Sequence, residues 1–197
     1  MKKLVVGISG ATGAIYGIRL LEVLRELEVE THLVVSEGAA RTIRMETQYE
    51  FSEVTKLATH VYDIKNVGAS IASGSFPIDG MAIVPCSIKS LSALANSYND
   101  NLLIRAADVN LKEKRKVVVM VRETPLHVGH LRLMMQVAEA GGVILPPMPA
   151  FYHQPRSLQE IIDQTIGKVL DQFGLDGKLF SRWEGSGILR SVSKKSI

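Results

Sequence analysis

The order of apolar runs along the chain is the feature that most constrains its fold. Runs of consecutive apolar residues, without polar alternation, are typical of parallel strands buried on both faces. They occur at residues 4–8, 31–35, 81–84, 117–121 and 142–145. Helical patterns separate them, at residues 14–27, 37–45, 91–96, 102–114, 131–140 and 158–173. Strands alternating with helices predict an α/β fold with a doubly wound sheet and right-handed crossovers.

Length and charge narrow the class of protein further. The 197 residues predict one domain with a sizeable core, and no apolar run approaches the ~20 residues of a membrane span. A net charge of +3, with acids and bases interleaved, argues against a nucleic-acid partner. The single cysteine excludes an internal disulfide and suits a cytoplasmic protein. Residues 60–79 are rich in glycine and serine, which predicts a long loop over the surface. The tail from 174 to 197 is expected either to fray or to dock on a neighbour.

Polar residues follow each of the predicted strands. In open α/β sheets, ligands bind beyond the carboxyl ends of the strands, so these loops are the expected site. The polar stretches are Ser9 to Thr12, Ser36, PCSIKS at 85–90, Arg122 to Thr124, and PPMPAFYHQP at 146–155.

The glycine-rich loop after the first strand differs from the dinucleotide fingerprint. Gly7, Gly10 and Gly13 recur at every third position, whereas NAD-binding turns follow the pattern G-x-G-x-x-G. The second strand ends at Ser36, where an NAD site requires an acid for the ribose. Loop amides and a helix N-terminus still favour an anion, so a phosphate or flavin loop is favoured over NAD. The alternative is a turn whose glycines serve only close packing.

Two further loops have both a functional and a structural interpretation. Ser87 and Ser90 suit either ligand binding or N-capping of the next helix. Arg122 and Glu123 suit either a reactive site or a surface ion pair, and their position directly after a buried strand favours the site.

Cysteine and histidine give weaker signals. Cys86 has no adjacent base in the sequence, which favours a packed side chain over a nucleophile. His127 and His130 are three apart at a helix start, where one metal could touch both. No acid or cysteine companion is clear, so no metal is expected. His32 and His153 are expected to have structural or supporting roles.

Several stretches, taken together, resemble the UbiX-like flavin prenyltransferases, also known as small aromatic-acid decarboxylase subunits. The resemblance spans nearly the whole chain and implies a flavodoxin-like, three-layer fold with a mostly parallel sheet. It also implies a homo-oligomer, a dodecamer, in which the tail lies at a subunit interface. The stretches are GISGATGAIYG, PCSIKSLS, RAADVNLKEKRK, VRETPLHVGHLRLM, ILPPMPAFYHQP and the late RW.

The resemblance implies a reaction on reduced FMN. The dimethylallyl group of dimethylallyl phosphate would be joined to N5 and then to C6, phosphate would leave, and no metal would be required. The product would be the cofactor of a partner aromatic-acid decarboxylase. Matching by motif, the FMN-binding residues would be Gly10, Ala11, Thr12, Ser36, Ser87, Ile88, Lys89, Ser90 and Arg122. Thr12 stands where many relatives have serine, which keeps the hydroxyl.

The same resemblance places a second set of residues around the phosphate donor. Dimethylallyl phosphate would meet Tyr152 and Lys168, and Glu46 would lie close to the isoalloxazine. Cations in a dry pocket would neutralise the departing phosphate, aromatic faces would stabilise an allylic cation, and a carboxylate would move protons during ring closure. The cations are Arg105, Lys112, Arg122 and Lys168, the aromatic residues are Tyr152 and Trp183, and the carboxylate is Glu123.

Arg105 and Lys112 predict a site shared between subunits. They are seven residues apart on one helical face, without an evident acid to balance them. We therefore expect neighbouring subunits to complete each site. Two alternatives stay open at this point. One is a flavin-dependent decarboxylase of the same fold, although PCSIKS replaces the PASANT-like turn of that family. The other is an FMN carrier or chaperone, although carriers tend to be acidic and this chain has a pI near 9.0.

Overall fold

The computed structural model describes residues 1–183 and residue 185, in which strands and helices alternate as the sequence predicts. Part of the predicted tail, residue 184 and residues 186–197, lies outside the described residues. The strands are β1 (Lys3–Ile8), β2 (Glu30–Val35), β3 (His60–Tyr62), β4 (Gly80–Cys86), β5 (Lys116–Val121) and β6 (Val143–Ile144). The α-helices are α1 (Ala14–Glu26), α2 (Glu37–Glu46), α3 (Phe51–Thr55), α4 (Ile88–Ala95), α5 (Leu102–Lys112), α6 (Val128–Glu139) and α7 (Leu158–Gln172), and a 3₁₀ turn spans Ser70–Ala72.

The described strands form one parallel sheet in the order β3-β2-β1-β4-β5-β6. Without the short edge strand β3, the order is that of the flavodoxin-like fold, which confirms the predicted fold class. The prediction that residues 60–79 only cross the surface was wrong at their start. There, His60–Tyr62 pair with β2. Two of these three residues are exposed, so the segment lacks the apolar run by which the other strands were found.

The sheet separates two apolar layers. Alternate residues of β1 point to opposite faces, so Leu4, Val6 and Ile8 belong to the layer beneath α1 and α7. Val5 belongs to the layer beneath α4 and α5. Helices therefore cover both faces, which gives the three-layer arrangement. Within the described residues, no helix has both the length and the apolar character needed to cross a bilayer.

Side-chain caps fix where two of the helices begin. Ser36 accepts a hydrogen bond from the backbone N–H of Ala39 at 3.1 Å and starts α2. Ser87 accepts one from the N–H of Ser90 at 3.3 Å and starts α4 three residues earlier than the apolar pattern predicts. Both helices follow strands directly, so their N-termini lie at the carboxyl edge of the sheet.

The described part of the tail returns along α7. Leu175 and Leu179 pack against the apolar layer of α1 and α7. Phe180 lies so close to Gly167 that a Cβ there would meet its ring at 2.3 Å. The described part of the tail therefore packs on its own chain up to Trp183. From the sequence alone, the two alternatives were a frayed tail and a tail docked on a neighbour.

Candidate functional site

A cleft of about 680 Å³ opens at the carboxyl edge of the sheet, between the loops that follow β1, β2, β4 and β5. Topology alone predicts this location. Of the residues predicted to hold FMN, six line the cleft, namely Gly10, Ser36, Ser87, Ile88, Lys89 and Ser90. Glu123 also lines it, whereas Ala11, Thr12 and Arg122 are not among its lining residues.

Ser9 joins two of these loops and is buried. Its hydroxyl donates to the carbonyl of Pro85 at 3.1 Å and accepts from the N–H of Ser87 at 2.7 Å. Its own N–H also donates to the Pro85 carbonyl, at 3.1 Å. The side chain is therefore used within the protein, where it holds the glycine loop against the start of α4.

Gly10 allows the glycine loop to touch α2. A Cβ at Gly10 would lie 3.0 Å from the Cα of Gly38, and a Cβ at Gly38 would lie 3.2 Å from the Cα of Gly10. Both glycines line the cleft, so the close approach shapes its wall. Packing and ligand binding, which the sequence posed as alternatives for this loop, are thus compatible at Gly10.

Two helix N-termini, those of α2 and α4, point into the cleft. The partial positive charge there favours an anion, and a phosphate group is the anion that such a site suits. The N-terminus of α1 differs, because the Glu46 carboxylate accepts from the N–H groups of Gly13 and Ala14 at 2.7 and 3.4 Å. Glu46 is exposed and is not among the residues lining the cleft. In this chain it caps α1.

Arg122 and Glu123 lie at the end of β5. The backbone N–H of Arg122 donates to the carbonyl of Cys86 at 3.1 Å, which ties this loop to that of β4. Burial raises the pKa of the half-buried Tyr16 phenol, and the nearby positive charge of Arg122 opposes the rise. Among the described residues, Arg122 has no carboxylate within ion-pair distance. Its charge is thus available to a ligand.

The cleft contains charged side chains that the sequence analysis missed. Arg41, in the second turn of α2, and Lys65, in the loop after β3, add positive charge beside Lys89. Lys65 lies 3.8 Å from Glu37. Arg41 could have been predicted from the sequence, since it follows the Ser36 cap by five residues. Lys65 could not have been predicted, because its segment was interpreted as a surface loop.

Arg105 and Lys112 are not among the residues that line the cleft of their own chain. The α5 helix starts at the carboxyl edge and runs to the opposite one, so Lys112 is about 16 Å along it from Asn101. The prediction that no acid balances these cations was wrong. The Arg105 guanidinium lies 3.6 Å from the carboxylate of Asp108, and the Lys112 ammonium contacts Glu113. Only the first of these pairs has the i,i+3 spacing that sequence reveals.

Lys168 lies on α7, and Tyr152 lies in the loop before this helix, in contact with the tail. The Tyr152 ring packs edge-to-face on Trp183 at 5.9 Å between centroids, and both side chains are substantially exposed. The Lys168 ammonium lies 3.4 Å from Asp171, which also binds both terminal nitrogens of Arg182. These residues form a second group, separate from the cleft lining.

The single cysteine and the histidines are not among the residues that line the cleft. Cys86 is fully buried, and burial raises the pKa of its thiol to about 12, so it is a packed residue and not a nucleophile. The rings of His127 and His130 contact each other at 3.6 Å between centroids, and His127 accepts from the N–H of Gly129. His32 is buried on β2, where it pairs with the edge strand β3, and both ring nitrogens of His153 are buried without a described partner.

Comparison with known proteins adds the family to this geometry. The family model of the flavoproteins matches residues 1–171. The flavin prenyltransferase UbiX of Thauera aromatica is 65% identical over 184 residues, which cover 93% of this chain and 95% of that protein.

Two solved structures are closely similar. A UbiX in complex with FMN and dimethylallyl pyrophosphate superimposes with a TM-score of 0.93 at 49% identity, covering 94% of this chain and 99% of the other. A dodecameric FMN-dependent UbiX-like decarboxylase from Escherichia coli O157:H7 gives a TM-score of 0.91 at 47% identity, covering 93% and 100%.

Proposed function

The chain belongs to the UbiX-like flavin prenyltransferases, and we propose that it joins the dimethylallyl group of dimethylallyl phosphate to N5 and C6 of reduced FMN. The product would serve a partner aromatic-acid decarboxylase. The observation that carries the proposal is the cleft between the glycine loop and the N-termini of α2 and α4, in a chain this similar to UbiX.

The cleft supports a binding mode for FMN in which the phosphate meets the helix N-termini. Backbone N–H groups and partial positive charge would hold it there, with Lys89 and Arg41 adding full charges. The Ser36 and Ser87 hydroxyls serve as caps. We therefore propose that the backbone N–H groups of these turns, rather than the hydroxyls, make the main contacts with FMN. Ala11 and Thr12 continue the glycine loop and complete the proposed FMN set.

Arg122 and Glu123 are proposed to act on the reacting atoms. Arg122 would neutralise the departing phosphate, since it lies at the end of a buried strand and no carboxylate of the described residues pairs with it. Glu123 would move the proton that ring closure releases, since its carboxylate lines the cleft and accepts only from the N–H of Thr124 in the described contacts. We propose that Glu46 acts as a positioning residue, because its carboxylate fixes the start of α1 beside the glycine loop.

Residues from other subunits are proposed to complete the site. Arg105, Lys112, Tyr152 and Lys168 would surround the phosphate donor. None of them is among the residues lining the cleft of its own chain, which favours their coming from neighbours in a homododecamer. The solved UbiX-like decarboxylase is dodecameric. We further propose that residues 1–197 form one domain whose tail, from 174 onward, lies at a subunit interface. A reducing compartment, the cytoplasm, suits the free Cys86.

A single-turnover reaction tests the proposal. The protein is mixed anaerobically with reduced FMN and dimethylallyl phosphate, and the flavin is analysed by mass spectrometry. We expect the mass of one added prenyl group, with phosphate released. An FMN carrier would leave the mass unchanged, and a protein that binds NAD but no flavin would refute the assignment.

Glu123→Gln separates binding from chemistry. We expect this variant to bind FMN with the parent affinity, because the side chain contributes proton transfer and not phosphate contacts. Product formation should stall. Glu139→Gln, at the far end of α6, is the matched control and should react at the parent rate. Full-rate product formation by Glu123→Gln would remove the carboxylate from the mechanism.

A further inference from the structure

We propose that Glu30, His32 and His60 form a binding site for a divalent transition-metal ion, with zinc as the expected occupant. The site lies at the edge of the sheet formed by β2 and β3. Glu30 and His32 are two apart on β2 and share a face, and His60 on β3 is the register partner of His32. Two imidazoles and one carboxylate therefore converge from neighbouring strands.

The distances between the donor atoms fit one ion. The Oε1 atom of Glu30 lies 3.1 Å from Nε2 of His32 and 3.6 Å from Nε2 of His60. All three donor atoms lie within 4.8 Å of one another. Ligands on a tetrahedral zinc are separated by about 3.3 Å, given metal–ligand bonds of ~2.0–2.1 Å. The His60 ring stacks on that of His32 with centroids 4.7 Å apart and is half exposed, so the proposed ion requires a rotation of the His60 side chain.

A neighbouring cation fixes the orientation of the Glu30 carboxylate. The Lys3 ammonium contacts the other carboxylate oxygen, Oε2, at 3.0 Å, so Oε1 remains directed at the two rings.

A supporting hydrogen bond orients His32. Its Nδ1 lies 2.9 Å from the Tyr62 hydroxyl, which lies 3.2 Å from the hydroxyl of Ser70. With a metal on Nε2, the Nδ1–H would donate to Tyr62, and Tyr62 would donate to Ser70. Metal-ligating histidines usually have such a partner on the second nitrogen.

The site is open and separate from the flavin cleft. Glu30 and His60 line a cavity of about 520 Å³, so water or a further ligand can take the fourth position. Ser36 directly follows β2 and is four residues from His32 along extended backbone, about 13 Å. The ion is therefore expected to have no part in prenyl transfer, and activity is not the appropriate readout.

Calorimetric titration tests the site directly. The untagged full chain, stripped with a chelator, is titrated with zinc chloride. We expect saturable binding of one ion per chain, a loss of affinity of at least ~100-fold in His60→Ala, and a loss of ~10- to 100-fold in Tyr62→Phe. Cobalt(II) added to the flavin-free chain should give the absorption bands of a tetrahedral site.

The other histidine pair provides the matched control. The rings of His127 and His130 lie closer together, at 3.6 Å between centroids against 4.7 Å for His32 and His60, but the described residues place no carboxylate with them. We expect His127→Ala to bind zinc as the parent does. FMN binding by His60→Ala verifies that the variant folds. Absence of saturable binding, or parent-like affinity in His60→Ala, would overturn the proposal, and so would a loss of binding in His127→Ala alone.

Discussion

Removing the Ser9 hydroxyl should destabilise the protein by about 2–3 kcal/mol. The Ser9→Ala variant loses two hydrogen bonds, at 3.1 and 2.7 Å. The Pro85 carbonyl keeps the bond from the N–H of residue 9, so the first loss is limited to the ordinary net value of a hydrogen bond, about 1 kcal/mol. The N–H of Ser87 loses its only described acceptor in a partly buried position, which costs a further ~1–2 kcal/mol.

Thermal unfolding measures this loss. For a chain of this size, each kcal/mol lowers Tm by roughly 2–4 °C, so we expect a decrease of about 4–12 °C. FMN affinity should fall as well, because Ser9 holds two walls of the cleft together. Both proteins are compared at the same protomer concentration, since assembly contributes to Tm.

A second serine gives the control for this experiment. Among the described contacts, the Ser75 hydroxyl bonds only the Ser73 hydroxyl, in an exposed loop, so Ser75→Ala should change stability by less than about 0.5 kcal/mol. If Ser9→Ala unfolds at the parent Tm and binds FMN equally well, the argument that this hydroxyl organises the cleft is wrong.

Three further predictions concern the tail, the thiol and acid stability. Deleting the chain after Phe180 should leave a folded protein that binds FMN but transfers the prenyl group poorly, because it lacks Trp183. Light scattering with a single-turnover assay checks this, and unimpaired turnover by a monomer contradicts it. Cys86 should resist thiol reagents at pH 8 until denaturant is added, as mass spectrometry will report, since its thiol has a pKa of about 12. Hydrogen bonds from Arg182 hold the pKa of Asp171 below its usual value, so their stabilisation is present at neutral pH and lost as pH falls through that lowered pKa. Unfolding scans of Asp171→Asn should therefore show a shallower loss of stability on acidification, and a loss as steep as the parent's would contradict it.

The buried strands could be predicted from sequence because burial on both faces removes polar residues from them. The runs within β1, β2, β4 and β5 show this directly. The edge strand β3 pairs on one side only and keeps two exposed residues, so no such pattern marks it. The position of β3 depends on its pairing with β2, and the strand propensities of its residues do not predict this contact.

The cleft was predictable for a topological reason, but the partners of its residues were not. Parallel strands bring their carboxyl ends to one edge, so Gly10, Ser36 and Ser87 had to be neighbours. By contrast, the Glu46 carboxylate reaches Gly13 over 33 positions of sequence, and no spacing rule reveals such a contact. The pairing of Arg105 with Asp108 was visible as an i,i+3 spacing, and the sequence analysis overlooked it.

The return of the tail along α7 has a consequence for how the protein is made. Every described residue of the cleft lies between positions 10 and 123, so translation supplies the flavin-binding loops early. The contact between Tyr152 and Trp183 requires synthesis to have passed residue 183. The loops of the flavin cleft therefore leave the ribosome first, and the aromatic pair can form only afterwards.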